Sequence, residues 1–258
     1  MPIPPFSATF MGTGTSGGVP MVGCGCVVCS SSDPFDKRLR SSVLLQSKNT
    51  TVVIDATPDF RQQMLLYQVK RLSGILITHA HKDHVGGIDD TRPFQYFQHG
   101  PTQVFGTAQS LEGVQREIPY AFEDNPYPGV PQLHLNEIGP EPFMIGDLPF
   151  IPILVWHHLM PVFGFRIGDF TYITDANRIE EEEKQKIRGS KTLVLNALRK
   201  QKHISHFTLG EAMAIGSELE IPNVYFTHVS HQLGTHAGIN AELPPNMRLA
   251  YDGLVLQF

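Results

Sequence analysis

The segment THAHKDHVGG (78–87) constrains this chain more than any other stretch. It follows the apolar run GILI (74–77) and supplies His79, His81, Asp83 and His84 in the pattern H-x-H-x-D-H. Such a cluster cannot enter an apolar core without partners, because burying unsatisfied polar atoms is costly. Neutral imidazole and carboxylate are good ligands for Zn, Mn or Fe. A strand followed by a tight turn lets His79 and His81 address one ion while Asp83 and His84 turn toward a second. Gly86 and Gly87 permit close backbone approach where the chain enters a helix. A lone H-x-H would read as polar surface; the full pattern after a buried-looking strand does not.

The rest of the chain alternates short β-rich runs with helical stretches, an α/β pattern. Strands are expected at 7–12, 42–46, 51–55, 74–78, 150–156, 163–167, 170–174, 192–196, 223–227 and 254–258. Helices are expected at 58–68, 108–118, 178–187 and 207–219, the last opened by a Thr208/Glu211 capping box. TVVI runs into Asp55, GILIT into His79, FTYIT into Asp175 and NVYFT into His228. Open α/β sheets gather their sites at such C-terminal strand edges. No linker divides the chain, so residues 1–258 read as a single domain. The Pro- and aromatic-rich 120–132 reads as an ordered loop or lid, and EEEE (180–183) as a solvated helix face.

A hydrophobic fraction of 41% and a charged fraction of 17% describe a chain with apolar residues enough for a sizeable core. The net charge of -5 argues against a dedicated nucleic-acid binder. The N-terminus has neither a charged leader nor a long apolar region, and no apolar run is long enough to span a bilayer. A cytoplasmic protein with no membrane partner is the expectation. In that reducing setting the 3 cysteines, Cys24, Cys26 and Cys29 of GCGCVVC (23–29), read as ligands rather than disulfide partners. C-x-C-x-x-C points to tetrahedral zinc, which takes four ligands, so a histidine must supply the fourth. GTGTSGG (12–18) lacks the G-K-[ST] ending of a P-loop and reads as a tight turn near the metals, offering backbone N–H groups.

HAHKDH resembles the signature of the metallo-β-lactamase superfamily. That resemblance implies a four-layer αββα sandwich with a dinuclear centre between the sheets. It also implies three more ligands downstream, a His, an Asp and a His at strand ends. VWHH (155–158), YITDA (172–176) and YFTHVSH (225–231) offer them. On this carry-over one ion is held by His79, His81 and His157, and the other by Asp83, His84 and His228, with Asp175 bridging. His158 stays open as the alternative to His157, since only one of two adjacent residues in an extended segment can point inward. Asp55 is expected to support a ligand rather than to be one. If His228 enters this centre, His231 is left to complete a structural zinc site with Cys24, Cys26 and Cys29.

GTGTSGGVPMVGCGCVVC (12–29) with THVSHQ (227–232) is similar to a narrower group, the PhnP-type phosphodiesterases of the carbon–phosphorus lyase pathway. The resemblance implies hydrolysis of a small or cyclic, nucleotide-like or ribosyl phosphodiester, by a hydroxide between two divalent ions, Mn or Zn, with one structural Zn besides. Asp83 is expected to orient that hydroxide. His206, just before a helix, is expected as general acid or phosphate contact, because imidazole titrates near neutrality; His203 is the weaker candidate. A homodimer is a family expectation. Two other readings remain: a tRNA 3′-processing endonuclease of the same superfamily, for which no long basic insertion is visible, and a non-catalytic metal-binding scaffold.

Overall fold

A computed structural model describes residues 3–124 and 127–258. The chain opens with β1 (Phe6–Gly12), β2 (Ser42–Ser47), β3 (Thr51–Ile54), α1 (Phe60–Leu66), β4 (Gly74–Leu76), α2 (Lys82–Val85) and α3 (Arg92–Gln98). It continues through β5 (Thr102–Gly106), α4 (Ala108–Glu117), β6 (Leu133–Glu137), β7 (Phe143–Ile145), β8 (Leu148–His157), β9 (Met160–Ile167) and β10 (Phe170–Ile173). It ends with β11 (Arg178–Ile179), α5 (Glu181–Ile187), β12 (Thr192–Asn196), α6 (Leu209–Glu218), β13 (Asn223–Thr227), α7 (His236–Glu242), β14 (Met247–Leu249) and β15 (Val255–Gln257).

The strands form two sheets, in the orders β15-β1-β2-β3-β4-β5-β6 and β11-β8-β9-β10-β12-β13-β14, with β7 added beside β8. Each sheet is antiparallel on one side and parallel on the other: β3, β4, β5 and β6 run parallel in the first, β10, β12, β13 and β14 in the second. Inward side chains of both sheets, among them Phe10, Leu45, Ile54, Phe150, Phe165, Tyr172 and Val194, share one core. The outer face of the first sheet packs on α1, α3 and α4 through Phe60, Phe94, Leu111 and Val114. The outer face of the second packs on α5, α6 and α7 through Ile187, Leu209, Ala212, Ile215 and Ile239. The result is the expected αββα layering. Strands with both faces covered read as near-continuous apolar runs, and TLVLN (β12) is buried along its whole length.

Two expectations are corrected here. Residues 178–179 do not begin a helix: they pair with Val155 and Trp156 as β11, and the helix starts at Glu181. Glu183 of the acidic run is not merely solvated, since its carboxylate accepts the backbone N–H of Leu154 at 2.8 Å. Gly87 stands, as expected, where the chain enters a helix: it caps the 3₁₀ turn Ile88–Thr91 that leads into α3, and a Cβ there would stand 2.0 Å from Thr57 O. The capping box at Thr208 and Glu211 forms as the sequence implies. Of the 120–132 loop, Asn125 and Pro126 lie outside the described residues; Pro119–Phe122 forms a short 3₁₀ turn. No helix among the described residues is long and apolar enough to cross a membrane.

Candidate metal centre

The C-terminal edges of both sheets meet at one place, and the ligand-type residues collect there. Asp55 follows β3, His79 follows β4, Asp175 follows β10 and His228 follows β13. Asp55, Asp175 and His228 adopt left-handed backbone conformations, with φ of 67°, 54° and 56°. Such values are uncommon outside glycine and turn the chain sharply as it leaves the strand.

Two groups of potential ligand atoms form, each with its atoms within 4.8 Å of one another: His79, His81, His157 and Asp175, and Asp83, His84, Asp175 and His228. Asp175 belongs to both. Its Oδ2 lies 3.7 Å from His79 Nε2 and 3.4 Å from His84 Nε2, while Oδ1 lies 3.0 Å from His228 Nδ1. His157 is the buried member of its pair; His158 is exposed, with φ of 58°.

The donors fit divalent cations. Thr78 Oγ1 donates to Asp55 Oδ2 at 2.9 Å, so it can accept the Nδ1–H of His79 at 3.0 Å. That leaves His79 Nε2 as a bare lone pair, 3.1 Å from His81 Nδ1. Asp55 Oδ2 lies 2.7 Å from His84 Nδ1, fixing that ring in turn. His84 Nε2 is buried and makes no hydrogen bond of proper geometry, although Asp83 and Asp175 carboxylates stand 3.2 and 3.4 Å away. A ring nitrogen facing two carboxylates in this way suits a shared cation, and Asp55 is the partner that orients such ligands. His157 Nδ1 donates to Ser205 O at 2.8 Å, which directs its other nitrogen inward.

The protonation pattern follows from these contacts. Burial and the neighbouring His84 charge hold His79 well below its ordinary range. Burial also works against a charge on His84, but Asp83, Asp175 and Asp55 outweigh it and raise His84 well above the imidazole range. Burial likewise opposes ionisation of Asp83 and Asp175, and cationic imidazoles overcome it and hold both carboxyls low. Asp83 and Asp175 thus favour the charged form beside a protonated His84, where a cation would compete, while burial pushes the Asp55 carboxyl up.

Cys24, Cys26, Cys29 and His231 form a separate group, again within 4.8 Å. Cys24 Sγ and Cys26 Sγ each lie 3.4 Å from His231 Nδ1. Backbone N–H groups of Met21 and Cys29 point at Cys29 Sγ and Cys26 Sγ. The Cys29 N–H and His231 lower Cys26 to about 6, so this thiol is largely thiolate at neutral pH, the form that binds metal. This group and the first are joined through the short segment from His228 to His231.

His206 is 8% exposed and packs between ligands, its ring centre 4.6 Å from that of His157 and 4.9 Å from that of His228. Its Nδ1 is buried without a partner. Burial and the adjacent histidines push it down to about 3, with Asp175 the opposing influence. Burial thus favours the neutral imidazole, against the near-neutral titration expected from the residue type alone. His203 is half-buried, 5.1 Å beyond. The 12–18 segment forms the expected tight turn beside the site, closed by Gly18 N–H to Thr15 O at 2.8 Å. The N–H groups of Gly14, Thr15 and Gly18 bond to Leu39 O, Val229 O and Thr15 O. What reaches the site is the Thr15 hydroxyl, 3.3 Å from His228 Nε2.

Sequence reading overlooked Thr78, Asn196 and a slot beside His81. Asn196 brackets Ala176 by accepting its N–H at 2.8 Å and donating to its carbonyl at 2.9 Å, which fixes the turn after Asp175; an Asn closing an apolar strand was the available signal. The slot, about 160 Å³, is bounded by His79, His81, Gln109, Ser110, Arg116 and Met160. Nothing in the spacing of α4 announces it.

Comparison with known proteins agrees with this geometry. Residues 50–229 match the Beta-lactamase superfamily domain. A solved diphosphatase from the PhnP family is 37% identical and superposes with a TM-score of 0.92 over 98% of each chain. Zn²⁺-bound PqqB from Methylobacterium extorquens superposes with a TM-score of 0.78 at 20% identity over 97% of this chain and 99% of that one, a likeness of fold. An octanoyltransferase of Porphyromonas gingivalis is 38% identical over 247 residues, 95% of this chain and 50% of that protein. The chain thus spans about half the length of that relative.

Proposed function

The chain belongs to the β-lactamase superfamily, among the metallo-β-lactamase-fold hydrolases, and from that premise we propose that it hydrolyses a small phosphodiester at a dinuclear centre. The observation that carries this reading is Asp175, whose carboxylate is shared by both ligand groups. His79, His81 and His157 would hold one divalent ion, Mn or Zn, and Asp83, His84 and His228 the other. Cys24, Cys26, Cys29 and His231 would hold a structural zinc, since four protein donors leave no open position. When bound, a pair of divalent ions makes hydroxide available at neutral pH and neutralises charge on a phosphoryl group.

The protein's own residues do the rest. Asp83, ionised and partly open to solvent, accepts a hydrogen bond from the attacking water and so orients it. His206, as neutral imidazole, donates an N–H to the departing oxygen; a pre-placed neutral donor is effective in a dry site. The slot holding Gln109 and Arg116 beside His81 receives the part of the substrate that is not expelled. Its size favours a small substrate, and the net charge of -5 disfavours pre-tRNA. A phosphoanhydride is the second reading, because the 37% identical relative is a diphosphatase. The octanoyltransferase name covers a protein twice the matched length and is not carried over.

The test is hydrolysis of bis-p-nitrophenyl phosphate with added Mn²⁺, followed by 2′,3′-cyclic nucleotides, a ribosyl cyclic phosphate, a nucleoside diphosphate sugar and pre-tRNA. Activity that disappears in Asp83→Ala supports the hydrolase. A wild-type protein that binds metal but shows no metal-dependent turnover on any of these esters points to a non-catalytic scaffold.

A further inference from the structure

We propose that Asn177 is a positioning residue that clamps the loop carrying His157 to the loop carrying His206, and so sets the spacing between a metal ligand and the leaving-group donor. The inference rests on the role given to His206 above. Asn177 follows Asp175 by two residues, and its own N–H donates to Trp156 O at 2.8 Å. Its side chain then works in both directions. Oδ1 accepts the backbone N–H of His158 at 2.8 Å, and Nδ2 donates to the carbonyl of Ile204 at 3.0 Å.

Each of these contacts lands next to a functional side chain. Trp156 and His158 flank His157, and Ile204 precedes Ser205, whose carbonyl accepts His157 Nδ1–H at 2.8 Å. The segments 156–158 and 204–206 are therefore tied at Asn177 and again at His157. An amide carries a donor and an acceptor on separate atoms, so Asn can bridge an N–H of one loop and a carbonyl of another at the same time. Elsewhere the 199–206 loop is held by Arg199, which bonds to Gln201 O, Lys202 O and Gln232, and by the Phe207 N–H, which donates to Ala176 O at 2.7 Å. The amide is the side-chain tie that joins Ile204, two residues before His206, to the backbone beside His157. A misplacement of about 1 Å at such a group can cost ~100-fold in rate.

The two halves of the clamp separate by substitution. Asn177→Asp keeps the acceptor for His158 N–H and loses the donor to Ile204 O; Asn177→Ala loses both. The Mn-loaded protein is assayed with bis-p-nitrophenyl phosphate, whose aryloxide leaves unaided, and with a 2′,3′-cyclic nucleotide, whose alkoxide needs a donor. Both variants are expected to lose ~30–100-fold in kcat on the cyclic nucleotide, and less than ~3-fold on the aryl ester, with KM and metal content unchanged. Hydrogen exchange supplies a readout independent of turnover. The His158 amide should exchange faster in Asn177→Ala and stay protected in Asn177→Asp, while the 204–206 segment exchanges faster in both.

Equal losses on the two substrates, a fall in bound metal, or an Asn177→Asp variant with wild-type kcat would each overturn the clamp. His206→Ala is run alongside. A leaving-group-dependent loss in His206→Ala without one in the Asn177 variants sinks this inference alone. No such dependence in His206→Ala removes the donor role, and the clamp is then judged on the exchange pattern.

Discussion

Gly113 sits in the interior of α4, where glycine is normally a liability. Replacing glycine by alanine inside a helix ordinarily gains about 1 kcal/mol. Here the added Cβ would stand 2.1 Å from Ala80 Cβ. Carbon atoms in contact rest at ~3.5–4.0 Å, so the helix or the His79–His81 turn must retreat by about 1.5 Å. Overpacking of this kind costs ~1–3 kcal/mol. The helical gain offsets part of it, leaving Gly113→Ala destabilised by up to about 2 kcal/mol, or up to ~4–8 °C in Tm for a domain of this size. Because Ala80 lies between His79 and His81, any yielding of the turn also disturbs the 3.1 Å facing of their nitrogens. Metal bound per chain at limiting Mn²⁺ should fall with the Tm. Ala80→Gly removes the obstructing atom and leaves the new Cβ only Ala80 Cα at 3.3 Å and Arg116 Nη2 at 3.7 Å. The double variant should return to within ~1 kcal/mol of wild type, with a favourable coupling of about 2 kcal/mol. Thermal melts of the four proteins and their metal content by elemental analysis decide the matter. A Gly113→Ala protein more stable than wild type, or strictly additive single effects, would refute the close approach of α4 to the metal-binding turn.

The ligand groups predict about three metals per chain, one of them zinc that resists chelation; Cys26→Ser should lower the count by one and leave the other two exchangeable, as elemental analysis before and after dialysis against a chelator will show. Asp55→Ala strips the Thr78 N–H, the Thr78 hydroxyl and His84 Nδ1 of their common buried partner. The expected cost is about 3–5 kcal/mol in stability, with ~10–100-fold weaker metal binding in whatever folds; metal titrations within tenfold of wild type would count against Asp55 as the orienting residue.

Much of this architecture is legible because the core strands announce themselves. TLVLN and NVYFT coincide with β12 and β13, and Ser42–Ser47 and Phe6–Gly12 lie within a residue of expectation. The centres of these strands are covered on both faces, so each carries a compact apolar run bounded by polar residues. The edges are harder. β6, LHLNE, is half-exposed and polar, and β14 is only MRL between a turn and a loop. The helix α3 opens on a proline within an aromatic run, and α7 contains Gly238 in seven residues. Neither shows a period long enough to read. In the centre, H-x-H-x-D-H identifies its own ligands, whereas the convergence of His157, Asp175 and His228 is a tertiary fact that no local spacing carries. His206 shows the limit most clearly. Its residue type suggests a group that titrates near neutrality, but burial among other imidazoles makes it a neutral donor.

The two metal groups differ in what holds them. Asp55, Asp175 and His228 keep left-handed conformations that cost an L-residue about 1–2 kcal/mol each. Such strain persists only where the surroundings enforce it. Here the enforcement is the core: Ile54, Ile173 and Thr227, which precede these turns in β3, β10 and β13, are all 0% exposed. The residues proposed to hold the two ions are thus placed by strands already fixed by sheet pairing, so the fold itself would build the cage that cations enter. Cys24, Cys26 and Cys29 have no such support. They lie in a stretch of turns between β1 and β2, held by short-range backbone bonds and weak N–H···S contacts within the loop, and they meet His231 only through Cys24 Sγ and Cys26 Sγ, each 3.4 Å from its Nδ1. Bringing three thiols and an imidazole together without a cation gives almost nothing back for the chain entropy lost. An ion there would organise the loop, and with it the backbone pairing of Thr13 and Thr15 to Val229, which carries Thr15 to His228. Removing the catalytic ions should therefore leave the fold standing, while removing the cysteine-bound ion should loosen the Thr15 side of the active site first.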